Sequence, residues 1–121
     1  MVFDTQGQDA RPQFTNADLA RRKELLELTA ECEATLAGYQ PLVRAQVDEI
    51  VRTFYEHQTK VPEIKDLIRN EESLARLKQA MRSYVVDLFA GTYGASYAHG
   101  RTKIGQAHAR LGVAPWLYIA S

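Results

Sequence analysis

The chain has 121 residues, 45% hydrophobic and 25% charged, and its 15 basic side chains balance 15 acidic ones. That length fits one domain, and the mixed composition fits a water-soluble chain rather than a disordered or fibrous one. Balanced charge, with no basic run interleaved by aromatics, argues against a nucleic-acid partner, and no apolar run reaches the length of a membrane span. The first fourteen residues lack a basic segment followed by an apolar one, and Cys32, the only cysteine, has no partner in the chain. A reducing cytoplasm is the expected compartment.

Residues 1–13 carry neither a helical nor a strand period and are expected to form a leader, with the folded domain over 14–121. Thr15 and Asp18 have the spacing of a capping box, and a first helix is predicted to run to Leu36, with Leu25, Leu28, Cys32 and Leu36 on one stripe. Cys32 is read there as a small packing residue without chemistry. Gly38 fits the position just past that helix, and Pro41 fits the first turn of the next. From Pro41 to Gln58 the apolar positions Val43, Val47, Ile50 and Phe54 define a core-facing helix. Tyr55 lies one turn beyond Val51 at the edge of that stripe, so its ring can be buried while its hydroxyl needs a polar neighbour.

Pro62 breaks the pattern, and a short helical segment through Ile68 leads to a long helix capped by Ser73. In that helix Leu74, Leu77, Met81, Tyr84 and Leu88 recur at intervals of three and four. Gly91 and Gly94 stop it, and a further helix over 96–111 carries Ile104 and His108. Gly112 ends that one, and Pro115 can open another. No run alternates in the manner of a strand and no segment repeats, so the fold is predicted to be all α.

There is no phosphate-binding glycine loop, no cysteine and histidine set with zinc spacing, and no serine in a nucleophile turn. The pairs Glu71–Glu72 and Asp48–Glu49 are adjacent on helices and point apart, and His57 and His99 fall among polar residues. His108 differs, because Ile104 stands four residues before it and Leu111 three after, on an apolar face. An imidazole there needs a partner, either a backbone carbonyl or something other than protein, such as a metal. With Tyr55 on another helix and a wide apolar lining, the pieces suffice for a haem pocket without being specific to one.

The segment Ile104-Gly-Gln-Ala-His-Ala-Arg-Leu-Gly-Val-Ala-Pro-Trp-Leu-Tyr118 resembles the proximal segment of the globin domains of bacterial globin-coupled sensors and the related sensor globins and protoglobins. Two further stretches are similar: Phe54-Tyr55 closing the second core helix, and Leu74 to Met81 opening the long one. The resemblance covers roughly residues 14 to 121. It implies a globin-like fold and a haem b cofactor, with His108 as the iron ligand and Tyr55 as the distal tyrosine. It also implies a pocket lined by Phe54, Leu77, Ala80, Met81, Ile104 and Tyr118. Leu77 falls where the family places an apolar distal residue, Ala80 where some members carry a hydroxyl, and Tyr118 on an aromatic beyond the ligand histidine.

The resemblance implies an oxygen sensor rather than an enzyme, with carbon monoxide and nitric oxide as further ligands. Its signalling output would lie outside this chain, and its complete parent would form a homodimer. A whole globin has about eight helices, so most of the last two are expected to be missing here, leaving the pocket open on one side. Two other readings compete. One is a cofactor-free globin scaffold for interaction or dimerisation. The other is a haem enzyme, for which a further distal acid or base is expected and none is evident.

Overall fold

The structure is a computed structural model that describes residues 14–120, and the predicted leader lies outside them. Six helices follow in order: α1 Asn16–Leu25, α2 Ala30–Gln58, α3 Pro62–Ile68, α4 Glu71–Asp87, α5 Ala95–Arg110 and α6 Pro115–Ala120. The described residues form no strand, and none of their helices is long and apolar enough to cross a membrane.

α1 starts as predicted. The Thr15 hydroxyl accepts the Asp18 N–H at 3.1 Å, and the Asp18 carboxylate accepts the Thr15 N–H at 3.0 Å. The helix then ends at Leu25 instead of Leu36, because Glu27 takes the left-handed conformation at φ 56° and Thr29 caps a new helix. The Thr29 hydroxyl accepts the Cys32 N–H at 3.2 Å. The predicted stripe is therefore divided between two helices, and Leu25 is 66% exposed. Cys32 is exposed on the first turn of α2 and is not a packing residue. Hydrogen bonding from the Thr29 side chain, then from its backbone, holds the Cys32 thiol below its ordinary pKa.

α2 continues through the predicted break at Gly38–Pro41, with Pro41 inside it. A proline there has no N–H for the Ala37 carbonyl and costs about 3 kcal/mol relative to alanine. Packing outweighs this, since the most extensive helix contact in the molecule is α2 on α4. The Gln40 amide donates to the Val86 carbonyl at 3.2 Å just before the proline, and Arg82 pairs with Asp48 just after it.

The buried residues of α2 are Val43, as predicted, and Val51 and Tyr55, the last two flanked by Val47 and Phe54, whereas Ile50 is 40% exposed and lies off the face predicted for it. Ile68 of α3 completes the buried cluster, and Ile64, Leu74 and Met81 pack against it. Pro62 opens α3 as expected. The α4 cap is Asn70, whose side-chain oxygen accepts the Ser73 N–H at 2.8 Å, so Ser73 is the capped residue and not the cap.

The turn from α4 to α5 holds two tight features. Gly91 has φ +79°, and a Cβ built on it would lie 2.6 Å from the Ala37 Cβ of α2. Tyr93 is buried beside it and donates its hydroxyl to the Leu88 carbonyl. Gly112, at φ +72°, reverses the chain after α5 as the sequence predicts. These turns bring α5 and α6 back to the side of the core where Tyr55 stands in the last turn of α2.

Candidate functional site

Beside the Val51–Tyr55–Ile68 cluster lies a cavity of about 470 Å³. All eight residues named from the sequence line it: Phe54 and Tyr55 from α2, Leu77, Ala80 and Met81 from α4, Ile104 and His108 from α5, and Tyr118 from α6. A smaller lobe of about 150 Å³ shares Phe54, Tyr55, Leu77, Met81, His108 and Tyr118 with it. The lining is mostly aliphatic and aromatic, with few polar groups, the usual character of a small-molecule site.

His108 is half-buried in the last turn of α5, and its Nδ1 lies 2.8 Å from the Ile104 carbonyl oxygen. A carbonyl can only accept, so the proton sits on Nδ1 and the lone pair on Nε2. The backbone partner that would satisfy a core histidine is therefore present. It also fixes the tautomer that leaves Nε2 able to ligate, the arrangement usual for a metal-bound imidazole. The Tyr118 ring lies against the imidazole, with centroids 4.4 Å apart and planes at 36°.

Tyr55 is 8% exposed, and the Phe54 ring meets it edge-on at 5.1 Å. Burial pushes its phenol above the ordinary pKa, so the hydroxyl keeps its proton. The Thr59 hydroxyl donates to the Tyr55 carbonyl at 2.8 Å and secures the end of α2. The Tyr55 hydroxyl itself makes no hydrogen bond to another described residue.

The sequence matches the protoglobin family over residues 15–121. The chain belongs to that family. It is 32% identical over 106 residues to the heme-based aerotactic transducer HemAT of Halobacterium salinarum, a match that covers 87% of this chain and 22% of the transducer. Its fold is similar to the globin domain of the Geobacter sulfurreducens globin-coupled sensor, with a TM-score of 0.75 and 30% identity over 79% of this chain and 63% of the other. The protoglobin chain thus spans about a fifth of the transducer and under two thirds of the solved domain.

Within this protoglobin domain the described residues contain no group of three or more His, Cys, Asp or Glu able to hold a metal ion. A bare ion finds no ligand set around His108. A metal that arrives inside a planar macrocycle needs one axial nitrogen and apolar walls, and these residues fit that requirement. Ala80 contributes no polar atom, and it, Leu77 and Tyr118 are solvent-exposed, so the cavity is open along that side. His57 and His99 are exposed, as expected.

The lining extends beyond the expected residues: Tyr84 and Val85 join the larger cavity, and Gln58 brings a polar side chain to a smaller lobe whose other additional residues are aliphatic. Tyr84 stands three residues after Met81, and that helical spacing is a signal for it; Gln58 stands three after Tyr55, but at the end of a helix the spacing does not say whether it faces water or the cavity.

Proposed function

We propose that this protoglobin domain binds haem b and senses a diatomic gas, oxygen first and carbon monoxide or nitric oxide besides. The observation that carries the reading is the His108 imidazole, held by Ile104 in the tautomer that frees Nε2, in an apolar cavity that it shares with a protonated Tyr55. When bound, haem supplies reversible ligation of a diatomic gas. His108 would hold the group through Nε2. Phe54, Leu77, Met81 and Ile104 enclose it with apolar surface, and Tyr118 packs against the imidazole and limits its rotation. The Tyr55 hydroxyl, kept protonated by burial, would donate a hydrogen bond to the gas molecule and so favour the better acceptor, oxygen, over carbon monoxide.

The kinship with an aerotactic transducer several times longer supports a sensing role in which the output lies beyond this domain; a homodimeric parent remains part of the proposal, on the family resemblance alone. The domain then acts as a binder whose ligand state biases that output. Absorption spectra of the purified protein with added haem test the reading. A sharp Soret band that is lost in His108→Ala is the expected result. A flat spectrum from the parent protein overturns the reading in favour of a cofactor-free globin scaffold.

A further inference from the structure

Gln58 is the last residue of α2, one turn beyond Tyr55 and on the same side of the helix. It lines the smaller lobe together with Tyr55 and His108. Most of that lobe is aliphatic or aromatic, and Gln58 brings its only carboxamide. The side chain is half-buried and makes no hydrogen bond to another described residue, Tyr55 included. Its two N–H donors have no acceptor among the described residues and stay within reach of water. A polar ligand inside the lobe would take the place of that water.

We propose that Gln58 is a second hydrogen-bond donor to the gas molecule, so that two residues on successive turns of α2 set the preference for oxygen. The inference rests on the haem reading above. Because Gln58 and Tyr55 are not bonded to each other, loss of Gln58 should act even where the Tyr55 hydroxyl is absent. A neutral amide is a weaker donor than a phenol, and its loss should speed oxygen release by about three- to ten-fold.

The test compares oxygen release and the infrared stretch of bound carbon monoxide in the haem-loaded parent protein, Gln58→Met, Gln58→Leu, Tyr55→Phe and the double variant Tyr55→Phe/Gln58→Met. Two apolar replacements guard against one that fails to fold, and a normal helical signal with a Soret band is required of each. Faster oxygen release in both Gln58 variants, a shifted carbon monoxide stretch, and a double variant faster than Tyr55→Phe alone are the expected results. Unchanged release and stretch, with an intact Soret band, overturn the donor role alone. A double variant no faster than Tyr55→Phe overturns it too, because Gln58 would then act through Tyr55. A parent protein with no Soret band that depends on His108 overturns the haem reading itself.

Discussion

Tyr55 is suited to its proposed role because its hydroxyl is both protonated and unspent. A hydrogen bond to a partly charged acceptor contributes about 1.5–3 kcal/mol, or roughly a ten- to hundred-fold change in affinity. Tyr55→Phe should therefore release oxygen roughly ten to a hundred times faster while carbon monoxide binding changes little, as flash photolysis can measure; equal changes for both gases would remove the assignment. Burial also gives the residue a pH signature. Its raised pKa makes the folded state hold a proton that the unfolded chain gives up, so stability falls as pH rises past the ordinary tyrosine value of about 10. Denaturant melts should show that alkaline loss in the parent protein and less of it in Tyr55→Phe. The lining of the candidate cavity was largely legible in the sequence because its residues sit on helical faces within recognisable segments. Gln58 was not, since a glutamine closing a helix looks the same whether it faces water or a cavity, and only the fold of α3 and α6 around it decides which.

At the scale of the helix, the sequence misplaced the first boundary by reading punctuation too literally. Gly38 and Pro41 are strong stop and start signals taken singly, yet α2 runs through both because its tertiary packing on α4 outweighs their cost. The true start carried a quieter signature: Thr29 as cap, with Glu31 and Glu33 in the first turn where the helix dipole favours negative charge. Elsewhere caps and periods agree, as at Thr15, Pro62 and Gly112, and α4 is legible from its period although its cap is Asn70 and not Ser73. An interior proline that is exposed at its side chain is a removable burden. Pro41→Ala should raise stability by up to about 3 kcal/mol, read as a higher denaturant midpoint with an unchanged slope. A lower midpoint would mean that the proline fits a bend in α2 on which the packing depends.

Over the whole molecule, the cavity is walled by four helices, α2, α4, α5 and α6, and neither α4 nor α5 has a fully buried residue of its own. A large apolar group placed among them would serve as the missing part of the core. Haem at a free concentration a hundred times its dissociation constant should stabilise the fold by about 2.7 kcal/mol and raise the melting temperature by roughly 10 °C. Calorimetry with and without haem measures that shift. It should vanish in His108→Ala, and an equal shift in that variant would point to non-specific adsorption. The α4–α5 turn is held to the opposite half of α2 by direct contact of Gly91 with Ala37. That contact has an evolutionary consequence: the two positions, 54 residues apart in the chain, are not free to change independently. A lineage that replaces Gly91 by asparagine, the residue best able to take its left-handed backbone, must first give up the methyl group at position 37, and among relatives the sizes of these two residues should vary in opposite directions.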